Sequence, residues 1–214
     1  MRIMQRIGMF GGSFDPIHIA HLILAECCRE ALELEQVLFI PAFISPLKQD
    51  SHPIDAKHRV EMIRLAIGGN PAFRIDTREL DRGGVSYTID TVRDLRQEYP
   101  NAELVLLMGA DSVRDLPKWR SPGELLELVS IGAISRGGLG EPPWESIRGL
   151  VNEERWLQLQ KRIDAPQLEL SSGSLRQRIA SGQSIRYQVP APVEMYIQQH
   201  QLYFNAAKQY SRRL

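Results

Sequence analysis

Gly11-Gly12-Ser13-Phe14-Asp15-Pro16-Ile17-His18-Ile19-Ala20-His21 follows a short apolar run, Ile7 to Phe10, and leads into a stretch of helical periodicity, His21 to Leu32. A strand that ends in a glycine pair and turns into a helix leaves unpaired backbone N–H groups at the helix N-terminus, where the macrodipole also favours negative charge. The stretch therefore reads as a phosphate seat. Gly11 and Gly12 carry no Cβ, so a bulky ligand can approach the backbone, and Asp15-Pro16 sets a rigid turn ahead of the helix. His18 and His21 stand three apart and share one helix face. The plain alternative is a tight turn followed by an exposed polar pair; the strand, glycine and helix context favours phosphate. Zinc competes for two imidazoles on one face but needs a third ligand. His52, His58, Cys27 and Cys28 have no metal-type spacing.

Outward from this stretch, apolar β-branched runs alternate with longer segments of period near 3.6 residues. That alternation predicts a parallel sheet with helices on its faces. Strands are expected at Arg6 to Phe10, Gln36 to Ile40, Phe73 to Thr77, Leu104 to Met108, Ile131 to Ser135 and Gln167 to Leu170. Helices are expected at Ile19 to Leu34, Ala56 to Ile67, Thr88 to Glu98, Leu125 to Leu128 with part of what precedes it, Trp144 to Arg162 and Ser174 to Ala180, with a last one from Pro190-Ala191-Pro192 to about His200. The expected fold is α/β: a Rossmann-like, doubly wound parallel sheet in three layers with a small C-terminal helical part, its ligands beyond the carboxyl ends of the strands.

The chain has 214 residues, 43% apolar and 24% charged, with 26 basic residues balancing 26 acidic ones. One domain over residues 1–205 is expected, followed by a frayed tail, Ala206 to Leu214. Zero net charge gives no whole-molecule pull toward nucleic acid or membrane, so phosphate binding must be local. Adjacent Cys27 and Cys28 are poorly placed to bridge each other and fit a reducing compartment. No apolar run reaches membrane-spanning length and the N-terminus lacks a signal-peptide core, so the cytoplasm is the expected location. A homo-oligomer stays open.

Neither G-x-x-x-x-G-K-[ST] nor G-x-G-x-x-G follows the first strand, which disfavours a P-loop kinase and a simple dehydrogenase. Gly109-Ala110-Asp111-Ser112 ends the fourth expected strand, where an acid suits a sugar hydroxyl, and Trp119 offers a flat face to a ring, a cationic pyridinium especially. Asp111 as a helix cap and Trp119 as core are the plain alternatives. Ser86-Tyr87-Thr88 opens a helix and can clasp a small carboxylate, with Ser86 or Thr88 also capping. Leu170-Ser171-Ser172-Gly173-Ser174-Leu175-Arg176 puts a cation early in a helix, where only a nearby anion favours it.

Taken together, GGSFDPIHIAH, SYTIDT, GADSVRDLPKW, LSSGSLRQRI and GQSIRYQVPAPVEMYIQQHQLY resemble, in order and spacing, the bacterial nicotinate-nucleotide adenylyltransferases of the nucleotidylyltransferase superfamily. The resemblance covers residues 6 to 204. It implies that the adenylyl group of ATP passes to nicotinate mononucleotide, giving deamido-NAD and pyrophosphate by direct displacement, with Mg2+ carried on the ATP phosphates and no direct protein ligand to the metal. It implies roles for His18 and His21 at the triphosphate, for Ser171, Ser172 and Arg176 at its outer phosphates, for Gly11, Gly12 and Ser13 as backbone contacts, and for Gly109 and Asp111 beside the adenosine. Tyr87 and Thr88 would take the nicotinate carboxylate, Trp119 would stack on its ring, and Lys48 and Arg136 would reach the mononucleotide phosphate. The sequence departs from the family pattern at Ser45-Pro46-Leu47-Lys48, where P-P-H-K is usual, at Gly173 in place of threonine, and at Val85 in place of proline. Its rivals are an adenylyltransferase for the amide mononucleotide or for phosphopantetheine, and a non-catalytic nucleotide sensor of the same fold.

Overall fold

Strand residues alternate between two apolar layers, and that alternation builds the molecule. The computed structural model describes residues 5–46, 53–136 and 141–204; the side chain of Arg136 also lies outside the description. The expected frayed tail and Lys48 fall outside it as well.

In chain order the elements are β1 (Arg6–Gly12), α1 (Ile19–Ala31), β2 (Gln36–Pro41), α2 (Ala56–Ile67), β3 (Phe73–Ile75), α3 (Arg78–Arg82), α4 (Thr88–Glu98), β4 (Glu103–Gly109), α5 (Ala110–Asp115), α6 (Pro122–Leu128), β5 (Ser130–Arg136), α7 (Glu153–Leu159), β6 (Gln160–Ala165), α8 (Ser172–Ala180) and α9 (Ala191–Gln199). The six strands are parallel and ordered β3-β2-β1-β4-β5-β6, the doubly wound arrangement. The strand order reverses between β1 and β4. The crevice beyond their carboxyl ends is where such sheets bind ligands.

Ile7 and Met9 of β1, with Leu104, Leu106 and Met108 of β4, face a layer closed by Ile89 and Val92 of α4, Val113 of α5, Leu125 of α6 and Trp156 of α7. Phe10, Val105 and Leu107 face the other layer, built from Ala25 and Cys28 of α1, Met62 and Ile63 of α2, Leu175 of α8 and Ile197 of α9. Two glycines are required by the sheet itself. A Cβ on Gly8 would come within 2.7 Å of Leu34 Cδ1, and one on Gly132 within 2.8 Å of Leu107 Cδ2.

Two expectations fail. The single helix over Trp144 to Arg162 is a 3-10 run, Trp144–Leu150, then α7, then β6. Asn152 accepts the Arg155 N–H through its side chain and starts a new helix, which breaks the run. The last strand is Gln160–Ala165 rather than Gln167 to Leu170. It is an edge strand, where polar residues are tolerated, and its apolar signal reduces to Ile163 and Ala165 on one face. Replacement of Gly132 by valine should lower stability by about 1–3 kcal/mol through overpacking against Leu107, read as a lower urea midpoint with an unchanged slope.

Candidate functional site

The crevice is lined by the ends of β1 and β4 and by the helices that follow them. Beyond β1 the backbone passes Gly11 and Gly12 and folds Phe14 inward at φ 47°, leaving its ring 1% exposed. That ring meets Phe10, Phe39 and the His21 imidazole edge-on or tilted, with centroids 5.1–5.9 Å apart. Phe14 thus fixes one edge of His21. Nothing lies within 4 Å of a Cβ placed on Gly11 or on Gly109. No packing demands glycine at these two strand ends, and both open toward the space a ligand would fill.

His18 is the N-cap of α1, and the His18 and His21 rings stack with centroids 3.7 Å apart and planes 17° apart. The His18 backbone N–H donates to His21 Nδ1 at 3.2 Å, which puts the proton of the neutral ring on Nε2. His18 is buried, and its Nδ1 has no partner among the described residues. Burial lowers the His18 pKa from 6.5 to about 4, and burial followed by the neighbouring His18 holds His21 well below its ordinary value. The exposed polar pair considered from the sequence is therefore excluded. The pair, His18 buried and His21 half-buried, is neutral and short of a counter-charge, and an anion bound beside it would favour protonation.

Side chains from α2 and α8 hold the loop ahead of α1. Arg59 of α2, 2% exposed, donates to the carbonyls of Ser13 at 2.9 Å, Ala42 at 2.7 Å and Ile54 at 3.3 Å, tying together three segments around the crevice. Ser172 Oγ donates to the Pro16 carbonyl at 2.8 Å, and Arg176 Nη1 donates to the Asp15 carbonyl at 2.6 Å. Both expected phosphate ligands from α8 thus first clasp the phosphate seat itself. Ser171 caps α8 by accepting the Ser174 N–H. Ser13, for its part, presents its carbonyl to Arg59. Arg59 escaped the sequence reading, although a cation in register with buried Met62, Ile63 and Ile67 along α2 was a readable signal.

The Ser86-Tyr87-Thr88 stretch opens α4 differently from expectation. Tyr87 is the N-cap, and neither Ser86 nor Thr88 caps it by a side chain. Ser86 Oγ accepts the Phe43 N–H at 2.9 Å, and its hydroxyl also reaches buried Glu79, which takes a bond from Thr91 Oγ1 at 2.7 Å. Desolvation raises the Glu79 pKa. The Tyr87 N–H turns back to the Val85 carbonyl at 3.1 Å. The first-turn N–H groups of Thr88 and Ile89 have no carbonyl within the helix to bond. The Tyr87 ring lies under the Arg120 guanidinium at 4.7 Å.

Gly109 is the N-cap of α5 and Asp111 sits exposed in its first turn, so Asp111 caps nothing. Trp119 is half-buried against the same apolar layer as Tyr87, and its buried Nε1 has no partner among the described residues. Arg136 ends β5 opposite Ala165. Cys27 and Cys28 are free thiols. Among the described residues no group of three or more His, Cys, Asp or Glu could hold a metal ion, and no helix is long and apolar enough to cross a membrane.

With this geometry in view, the chain matches the model of the cytidylyltransferase-like family over residues 9–178. It is 43% identical over 200 residues to a probable nicotinate-nucleotide adenylyltransferase of Thermomicrobium roseum, covering 94% of this chain and 92% of that one. It is also 43% identical over 203 residues to one of Herpetosiphon aurantiacus, covering 94% and 99%. Among solved structures, Plasmodium falciparum nicotinic acid mononucleotide adenylyltransferase complexed with NaAD shares the fold at a TM-score of 0.69 and 19% identity, over 93% of this chain and 97% of that one.

The neutral histidine pair sets a pH dependence. Unfolded histidine takes up a proton near pH 6.5 and folded His18 only near pH 4, so the unfolded state binds more protons between those values and stability falls as pH falls through the window. His18 should account for about 3 kcal/mol of that loss. Urea unfolding of the ligand-free protein at pH 7 and pH 4.5 should show a smaller drop for His18→Gln than for the unaltered chain.

Proposed function

Because the chain belongs to the cytidylyltransferase-like family and, within it, to the nicotinate-nucleotide adenylyltransferases, we propose that it transfers the adenylyl group of ATP to nicotinate mononucleotide, releasing pyrophosphate and leaving deamido-NAD. The observation that carries this reading is the His18–His21 stack, with His18 buried and its Nδ1 unpartnered among the described residues, beside open glycines at the β1/β4 switch point.

In the reaction a phosphate oxygen of the mononucleotide bonds to the α-phosphorus of ATP while the bond to the bridging oxygen breaks and its electron pair leaves with pyrophosphate. The nucleophile is already anionic at neutral pH and needs no general base. What the protein must supply is alignment of two anions and neutralisation of charge on the leaving group. The His21 ring, with its proton on Nε2, is a donor for that charge, and His18 gains its missing partner there. Arg176 serves the outer phosphates with the guanidinium nitrogens that do not hold Asp15, and Ser171 and Ser172 flank them. Gly11, Gly12 and Ser13 pass along the phosphates, and Gly109 and Asp111 face the adenosine. The Thr88 and Ile89 N–H groups take the nicotinate carboxylate, aided by the dipole of α4. Trp119 supplies the flat face for the pyridinium. Lys48 and Arg136 remain the proposed cations for the mononucleotide phosphate. Magnesium, which holds its own water tightly and finds no carboxylate cage among the described residues, would arrive on the triphosphate and neutralise its charge.

Pyrophosphate release with ATP and magnesium should strongly prefer nicotinate mononucleotide over its amide counterpart and over phosphopantetheine. Preference for the amide would overturn the assignment of the α4 N-terminus, and release with none of the three would leave a nucleotide-binding sensor. His21→Ala should lower kcat by about 10²–10³-fold, as loss of one transition-state donor does, with the mononucleotide Kd nearly unchanged; undiminished turnover would remove His21 from the reaction. Trp119→Ala should raise KM for the mononucleotide about tenfold and leave KM for ATP alone.

A further inference from the structure

The C-terminal end of α9 reaches back to the phosphate seat through one residue. Gln201 adopts φ 52°, its N–H donating to the Gln198 carbonyl and that of Leu202 to the Ile197 carbonyl, which ends the helix in a Schellman turn with a non-glycine residue in the left-handed position. The next residue but one, Tyr203, is also left-handed at φ 69°, yet its ring is 8% exposed. A bulky residue stays in that region only where its surroundings over-determine it. What holds it is visible. Tyr203 Oη donates to Asp15 Oδ1 at 2.6 Å, in a bond between two buried residues 188 positions apart. The other carboxylate oxygen, Oδ2, lies 3.8 Å from Arg176 Nη1, the nitrogen that also donates to the Asp15 carbonyl. Burial and the Asp15 carboxylate both push the Tyr203 pKa up, so the phenol stays a donor.

We propose that Tyr203 is a positioning residue for adenylyl transfer: by fixing the Asp15 carboxylate it orients the Arg176 guanidinium toward the phosphates and locks the Gly11-to-Pro16 loop from beneath. The inference rests on the function proposed above. Tyr203 itself touches no phosphate; it acts through Asp15 and Arg176. Arg59, whose charge also senses Asp15 and Tyr203, holds the same loop from α2 through the Ser13 carbonyl while its other bonds go to Ala42 and Ile54, and none of these bonds involves the phenol. Loss of the hydroxyl should therefore loosen Arg176 without unfolding the loop.

The test is a double-mutant cycle of Tyr203→Phe and Arg176→Lys, with transfer from ATP read for the acid and amide mononucleotides side by side. Tyr203→Phe should lower kcat about tenfold, the scale of a lost bond to a charged group, raise KM for ATP, leave KM for the mononucleotide unchanged and keep a cooperative thermal transition. In the Arg176→Lys background the same change should cost almost nothing further, because the phenol acts through the guanidinium. Losses that multiply in the double variant, a wild-type kcat for Tyr203→Phe, or a loss that only tracks the unfolded fraction would each overturn the proposal. A second reading needs no turnover: the Arg176 Nε–H resonance, identified by its absence in Arg176→Lys, should broaden and shift in Tyr203→Phe. An unshifted resonance would also overturn it. A change of preferred acceptor would instead count against the reaction assignment and leave the cycle to be read on whichever acceptor turns over.

Discussion

Two imidazoles stacked 3.7 Å apart in a buried site cannot both carry charge unless an anion lies beside them. That constraint organises the surroundings. The pair needs a rigid frame, because a neutral stack that could drift apart would be hydrated and lose its depressed pKa. It also needs an opening through which the anion can reach it. Phe14 provides the frame at the cost of a left-handed backbone, and Gly11 and Gly109 provide the opening by carrying no Cβ. Under the proposed function binding and charging are coupled, since an arriving triphosphate would supply the counter-charge that burial withholds.

The frame is borrowed from distant parts of the chain. Arg59 bonds three carbonyls of three segments, Ser172 and Arg176 reach across from α8, and α9 closes over the same layer with Val193 and Ile197. A buried guanidinium satisfied by carbonyls is costly to misplace, since any shift leaves donors unpaired. These bonds define the shape of a loop of ordinary composition. Preorganisation of this kind spares the reaction the work of ordering dipoles in the transition state. On the α4 side, Ser86 bonds the Phe43 N–H and buried Glu79 bonds Ser86 in turn.

The sequence carried the sheet and the first motif well. Helices α2 and α4 have the bounds their periodicity indicated, and the strands that are buried on both faces were legible as apolar runs. The failure fell at the sheet edge, where β6 alternates charged residues with Ile163 and Ala165 and so lacks the continuous apolar run of a central strand. The short helices α3 and α5 were also missed, each too brief to show a period. At the site, residue identities were legible but their partners were not. The hydroxyl of Ser86 looked like a cap and bonds another loop, Ser172 looked like a phosphate ligand and first holds Pro16, and Arg59 looked like one more helix cation. Such pairings join residues far apart in sequence, and local pattern holds no record of them.

The measurement that tests the central claim most directly is a nitrogen NMR titration of the His18 and His21 rings, free and with a non-hydrolysable ATP analogue and magnesium. The account predicts that both rings of the free protein stay neutral below pH 6, with His21 protonated on Nε2, and that the analogue raises the pKa of the pair. An unchanged titration under saturating analogue would contradict it, for the triphosphate would then bind away from the histidines.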